Sequence, residues 1–158
     1  MKFIILEGDP GRGKTTTLHA LKQILIANGY AKMLNMGLLF DPIKQADPPD
    51  FLDFFSKGNK KVGITSRGDD YNSVASDLHL LAMSKCDVCI CACHPLKKPH
   101  GNMKKRQSRN AVDDVIGLHS QLPSLNPTVV TIPKIYQFAK SAQLITNTID
   151  ARYIFSKI

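Results

Sequence analysis

The chain has 158 residues, 43% hydrophobic and 22% charged, a composition typical of one globular domain with a buried core. No apolar run approaches the roughly 20 residues that span a bilayer, and Phe3–Leu6 is too short for a secretory leader. We therefore expect a cytoplasmic protein. Its net charge of +8 is uneven, because six cations and no acid lie between residues 97 and 109.

The N-terminal segment predicts a strand, a glycine-rich loop and a helix in succession. Phe3–Glu7 is apolar enough for a buried strand. Apolar residues then recur at helical spacing over Lys14–Ala27, and Asn28-Gly29 is typical of a helix end. Between the two, Gly8–Thr15 fits the G-x-x-x-x-G-K-[ST] pattern of a phosphate-binding loop. The sequence therefore predicts a site for ATP or another nucleoside triphosphate, together with Mg²⁺.

In such a loop, backbone N–H groups and the helix N-terminus surround the phosphate oxygens. Lys14 is expected to reach the β- and γ-phosphates, and the hydroxyl of Thr15 is expected to ligate Mg²⁺. The predicted nucleotide contacts are Gly8, Asp9, Pro10, Gly11, Arg12, Gly13, Lys14, Thr15 and Thr16.

The next segments are less regular. Ala31–Met36, with an extension toward Phe40, predicts a weaker strand. Asp47-Pro48-Pro49-Asp50 is typical of a helix start, because Asp caps helices and proline suits their first turn. The predicted helix ends at Lys57-Gly58, and its apolar face would consist of Phe51, Leu52, Phe54 and Phe55.

Strand-like and helix-like segments then alternate. Further strands are predicted over Lys61–Ser66, Asp87–Cys93 and Pro127–Pro133, and helices over Tyr71–Ser84 and Asn110–Gln121. The tail favours a helix near Gln137–Leu144, and its pattern also allows a strand over Arg152–Phe155. This order predicts a three-layer α/β/α fold with a mostly parallel sheet of about five strands, which binds its ligand at the carboxyl ends of the strands.

Acidic and basic residues follow one of these strands directly. Asp69 lies close to the end of Lys61–Ser66, and we expect it to hold Mg²⁺ directly or through water. In the alternative interpretation Gly68-Asp69-Asp70 is a turn whose second Asp caps the next helix, and the two interpretations are compatible because one Asp can cap while the other binds the cation. Arg67 would neutralise charge on the transferred phosphoryl group.

Glu7 is the only glutamate in the chain and lies directly before the loop. ATP-hydrolysing enzymes commonly place a water-activating glutamate after a later strand, where this chain has none. Phosphoryl transfer depends mainly on positioning and cations, so transfer to an acceptor is favoured over simple hydrolysis. His94 ends the strand Asp87–Cys93 and would hydrogen-bond the γ-phosphate or the attacking group; otherwise it is a turn residue before Pro95.

The basic segment Lys97–Arg109 has three possible roles. As a lid it would bring Arg106 or Arg109 onto the nucleotide and exclude water. It could also contact nucleic acid or another polyanion, or form a solvated loop. Three functions therefore stay open: a Mg²⁺-dependent phosphotransferase acting on a small acceptor, an ATPase coupled to a nucleic-acid or protein partner, and a module that senses nucleotide without turnover.

The four cysteines, Cys86, Cys89, Cys91 and Cys93, are predicted to lie in the core. Three of them alternate along one strand at about 7 Å, and a straight strand cannot wrap its ligands around a metal ion. Cysteine commonly packs as a small hydrophobe.

The segment from Phe3 to Thr17 resembles the opening of the P-loop kinases, the thymidylate-kinase-like group in particular. The order of elements is also similar to that of nucleotide kinases. The resemblance implies a fold of the P-loop NTPase type, Lys14 and Thr15 as phosphate and Mg²⁺ contacts, and Arg106 and Arg109 as lid arginines. The chain departs from the family pattern after the strand Lys61–Ser66, where the Asp-Arg pair is absent and Arg67 precedes Gly68-Asp69 instead.

Overall fold

The computed structural model describes residues 1–33, 49–95, 108–122, 126–134 and 140–158. In these residues the strands are β1 (Lys2–Glu7), β2 (Ala31–Lys32), β3 (Leu52–Lys57), β4 (Lys60–Thr65), β5 (Val88–Cys93) and β6 (Thr128–Pro133). The helices are α1 (Lys14–Ala27), α2 (Tyr71–Met83), α3 (Ser108–Ser120) and α4 (Lys140–Phe155). None of these four helices has the length and apolar character needed to cross a membrane.

The strands form one sheet in the order β2-β3-β4-β5-β1-β6. Strands β4, β5, β1 and β6 are parallel, whereas β3 runs antiparallel to β4 and β2 antiparallel to β3. The prediction of an α/β fold with a mostly parallel sheet is therefore confirmed. The four parallel strands end at one edge of the sheet, and β3 begins at that same edge because Leu52 pairs with Thr65.

Helices cover both faces of the sheet. Alternate residues of β1 point to opposite sides, so Phe3 and Ile5 pack with α2 and α3, while Ile4 and Leu6 pack with α1 and α4. Strand β5 is buried along its whole length, as a central strand covered on both faces should be. Its cysteines Cys89, Cys91 and Cys93, together with Cys86, are buried and free, which confirms the prediction that they belong to the core.

The predicted helix after Asp50 is wrong, because Leu52–Lys57 forms strand β3. Leu52 and Phe54 enter one core layer and Phe55 enters the other, so this short apolar run is buried on both sides. Strands β3 and β4 form a hairpin in which Lys57 pairs with Lys60. Gly58 supports the two-residue turn with a φ of 57°.

The C-terminal segment also differs from its predicted secondary structure. Arg152–Phe155 is not a strand but the last turn of α4. Asn147, Ala151 and Ile154 are buried at spacings of four and three residues, which is the period of a helix face. The predicted helix near Gln137–Leu144 is described only from Lys140 onward.

One other prediction is partly outside the described residues, and another differs in its start. Of the predicted strand over Ala31–Met36, the structure describes Ala31–Lys32 as a strand and Met33, while residues 34–48 lie outside the described part of the chain. Helix α3 begins at Ser108, two residues before the predicted start.

Candidate functional site

The glycine-rich segment joins β1 to α1 at the carboxyl edge of the parallel strands. Gly11 and Gly13 have φ values of 72° and 78°, in the left-handed region that favours glycine. Gly13 also caps α1 without a side-chain hydrogen bond, and its carbonyl accepts the N–H of Thr17 at 2.9 Å. Since the first N–H groups of a helix have no partners within it, this end of α1 favours an anion. The other predicted contacts lie in the loop or the first turn of α1, namely Asp9, Pro10, Arg12, Thr15 and Thr16.

Gly8 fits where a larger residue would not. A Cβ atom at this position would lie 2.7 Å from the Cβ of Lys134, which follows β6. The N–H of Gly8 donates to the carbonyl of Cys93 at 3.1 Å, and the N–H of Lys134 donates to the carbonyl of Glu7 at 2.6 Å. The start of the loop is therefore fixed between the ends of β5 and β6.

The side chain of Lys14 turns back into this loop. Its Nζ donates to the carbonyls of Gly8 at 2.7 Å and Asp9 at 3.0 Å, and lies 3.2 Å from Nδ1 of His94. Lys14 is only 8% exposed, and burial lowers its pKa although the charge of Asp69 opposes that shift. An ammonium group has three N–H donors, so these three neutral partners match its capacity.

His94 connects Lys14 to Asp69. Its Nε2 lies 3.1 Å from Oδ1 of Asp69. Lys14 can only donate and an ionised Asp69 can only accept, so the neutral tautomer with its proton on Nε2 suits both partners. A protonated ring would direct a second N–H toward the carbonyl of Gly8, 3.0 Å from Nδ1, and would repel the Lys14 ammonium. The structure thus brings together three of the predicted site residues.

A second group of oxygen atoms meets the start of α1. The hydroxyl of Thr15 donates to Oδ1 of Asp50 at 3.3 Å, and the hydroxyl of Ser66 donates to the same oxygen at 2.9 Å. Asp50 was not predicted as a site residue, because its sequence context is typical of a helix start. The signal that could have found it is Gly58-Asn59, a typical hairpin turn, which makes the preceding run a strand and puts Asp50 at the carboxyl edge.

The two aspartates after β4 have separate contacts. Asp70 caps α2 by accepting the N–H of Ser73 at 2.9 Å, as one interpretation of the sequence proposed. The side chain of Asp69 is 67% exposed, and its described contact is with His94. Gly68 lets this turn lie against β5, because a Cβ there would be 2.8 Å from the carbonyl oxygen of Ala92.

Arg67 is directed toward α2. Its Nε donates to Oδ2 of Asp77 at 2.9 Å, and Nη2 makes a second bond to Oδ1. Asp77 is fully buried and also accepts from the hydroxyl of Thr65. These contacts join the end of β4 to α2, so the described geometry gives Arg67 a structural role beside the site.

Arg109 lies in the first turn of α3 and has two acidic partners. It donates from Nη1 to Glu7, and from Nε to Oδ1 of Asp113 at 3.1 Å. A cavity of about 290 Å³ opens here, lined by these three side chains and Pro95. Arg106 and the four lysines of the basic segment, Lys97, Lys98, Lys104 and Lys105, lie outside the described residues.

Comparisons with known proteins returned no matching family model, curated protein or solved structure. What the site can do is therefore inferred from its own residues.

Replacing Asp77 tests the structural role of Arg67. Asp77→Ala removes a buried carboxylate that faces a guanidinium, so we expect the free energy of unfolding to fall by about 3 kcal/mol in urea titrations. Asp114→Ala is the matched control, because Asp114 is exposed and accepts one hydrogen bond, from Tyr71. The control should change stability by less than about 1 kcal/mol. Equal losses in the two variants would contradict the assignment.

Proposed function

We propose that this chain binds a nucleoside triphosphate, ATP or a close analogue, with Mg²⁺ and transfers the γ-phosphoryl group to a small acceptor. The observation that supports this function best is the buried ammonium of Lys14 inside the glycine-rich loop. The fold that we infer on the same grounds is of the P-loop NTPase type. A cytoplasmic location would suit an enzyme that uses ATP.

The charge of Lys14 is opposed by the nearby carboxylates of Asp69, Asp9 and Asp50, but none of them is among its described hydrogen-bond partners. Its described hydrogen-bond partners are two backbone carbonyls and an imidazole, none of which is an anion. The left-handed glycines and the N-terminus of α1 surround the same space with positive dipoles. A phosphate group would give the Lys14 ammonium an anionic partner, whereas its present hydrogen bonds go to neutral acceptors.

The oxygen atoms near Thr15 fit Mg²⁺. This hard cation prefers carboxylate and hydroxyl oxygens, and Thr15, Asp50 and Ser66 provide them within one hydrogen-bonded group. Asp50 with Thr15 would hold the ion, and Asp69 and Asp9 are two further carboxylates near Lys14. When bound, Mg²⁺ would neutralise charge on the β- and γ-phosphate oxygens.

Transfer is favoured over hydrolysis by the arrangement of the carboxylates. Glu7, the only glutamate, is engaged by Arg109 on the α3 side of the sheet. The Nζ of Lys14 lies 3.2 Å from Nδ1 of His94. His94 would hydrogen-bond the γ-phosphate once Lys14 has moved away from this nitrogen.

Nucleotide binding by a Lys14→Ala variant tests this proposal. The loss of charged hydrogen bonds should weaken the affinity for Mg²⁺-ATP about 10- to 150-fold, the equivalent of roughly 1.5–3 kcal/mol, by isothermal titration calorimetry. Lys57→Ala is the control, since Lys57 is exposed at the opposite edge of the sheet. Unchanged affinity in Lys14→Ala, or no binding by the natural chain, would reject the assignment.

The Mg²⁺ ligand can be tested separately. Asp50→Asn should raise the Mg²⁺ concentration needed for half-maximal ATP binding by at least about 10-fold, because it removes a negative charge beside Thr15. Asp69→Asn should have the smaller effect, since its described contact is with His94. A larger shift in Asp69→Asn would instead support the ligand that the sequence alone predicted.

A further inference from the structure

We propose that His79 of α2 and His119 of α3 together bind a transition-metal ion of the Zn²⁺ class. The two helices cover the same face of the sheet, and the ion would lie between them. This site shares no residue with the proposed nucleotide site and does not depend on it. Mg²⁺ would not occupy it, because that ion prefers oxygen ligands.

His119 occupies a core position of α3. Ala111, Val115 and His119 are buried at spacings of four residues, so they lie on one face of the helix. His119 is only 2% exposed, and neither its Nδ1 nor its Nε2 has a hydrogen-bond partner within the described part of the chain. A neutral imidazole has one donor and one acceptor, and leaving both unpaired in the interior costs free energy. An aliphatic side chain would fill this position without that cost.

The ring of His79 lies beside that of His119. Their centroids are 5.4 Å apart and the ring planes are inclined by 37°, so the rings are not stacked in parallel. Two imidazoles that bind one tetrahedral ion through bonds of about 2.0–2.1 Å have their centroids about 5 Å apart. The observed separation is therefore close to that of two histidines sharing an ion.

The two histidines differ in exposure in a way that suits metal entry. His79 is exposed on α2, so a hydrated ion can reach its ring from solvent. His119 is covered, and it would bind the ion from the side of the core. Binding would give one of its two unpaired nitrogens a partner, which the described protein atoms do not provide.

The protonation state of His119 also suits a ligand. Burial lowers the pKa of His119, and the charge of His79 lowers it further. The ring is therefore neutral near pH 7, and the neutral imidazole is the form that binds metal ions.

The residue types select the class of ion. Imidazole nitrogen suits Zn²⁺, Cu²⁺ and Ni²⁺. Within the residues that the structure describes, no group of three or more His, Cys, Asp or Glu side chains could hold a metal ion. Water would therefore complete the coordination, and the ion would exchange more readily than one held by four protein ligands. Its effect would be to fasten α2 to α3.

The histidine rings themselves can report the site. The full chain, labelled with ¹⁵N in its histidines, would be titrated with Zn²⁺ in excess Mg²⁺ while long-range ¹H–¹⁵N spectra of the ring nitrogens are recorded. We expect a saturable shift of one ring nitrogen in His79 and one in His119. His19 should be unaffected, since its Nε2 lies 2.9 Å from the carbonyl oxygen of Pro49. Shifts that are confined to His94, or the absence of any shift, overturn the proposal.

Single variants test each ligand by isothermal titration calorimetry with Zn²⁺. His79→Ala removes an exposed ligand without changing the core, so the variant should fold normally and bind Zn²⁺ at least about 10-fold more weakly, since even outer-shell substitutions at metal sites cost 10- to 100-fold. His119→Gln should show a similar loss. His19→Ala is the matched control and should keep the natural affinity, as should His94→Ala. Natural affinity in His79→Ala, or a loss in His94→Ala alone, contradicts the proposal.

Thermal unfolding gives an independent readout. An ion that binds only the folded chain raises its Tm, so Zn²⁺ should raise the Tm of the natural chain and of His19→Ala but not that of His79→Ala. An equal rise in all three would place the stabilising ion elsewhere and overturn the assignment.

Discussion

The structure around the candidate site depends on one buried cation, the ammonium of Lys14. Its hydrogen bonds to the carbonyls of Gly8 and Asp9 close the glycine-rich loop on itself, and its contact with His94 joins the loop to the end of β5. Burial of an ammonium is costly unless its donors are satisfied. The glycine-rich loop provides two carbonyl acceptors for Lys14, and the residue that follows β5 provides the third acceptor.

Several residues that are far apart along the chain meet around this cation. Gly8 has to lack a side chain because Lys134 passes 2.7 Å from where its Cβ would be. His94 is held by Ser108 on one side and by Asp69 on the other. The parallel strands bring these residues to one edge, and the antiparallel β3 adds Asp50 to it. A phosphate entering the loop would accept the hydrogen bonds that Lys14 now donates to backbone carbonyls. Nucleotide binding would therefore exchange the acceptors of Lys14 within a site that is already formed.

Much of this could be predicted from the sequence, and the failures have physical causes. The strand–loop–helix unit around Lys14 is local, and its glycines and apolar runs identify it directly. Asp69 and His94 were predicted from their positions at strand ends, which a parallel sheet brings together. Asp50 was missed because Phe51, Leu52, Phe54 and Phe55 have a spacing that suits a helix as well as a doubly buried strand, and only tertiary packing decides between them. The contacts of Arg67 with Asp77 and of Arg109 with Glu7 were also beyond prediction, since each joins two different elements, whereas Asp113 lies on α3 itself, four residues after Arg109.

The most direct test of the account follows the backbone of the loop itself. An amide-labelled sample would be titrated with Mg²⁺ and a non-hydrolysable ATP analogue while ¹H–¹⁵N correlation spectra are recorded. We predict saturable shifts in the amides of Gly8, Gly11, Gly13, Lys14 and Thr15, accompanied by a change at His94 as Lys14 leaves it. Saturable binding with the loop amides unmoved, or no binding, would contradict the central claim that this loop holds a triphosphate.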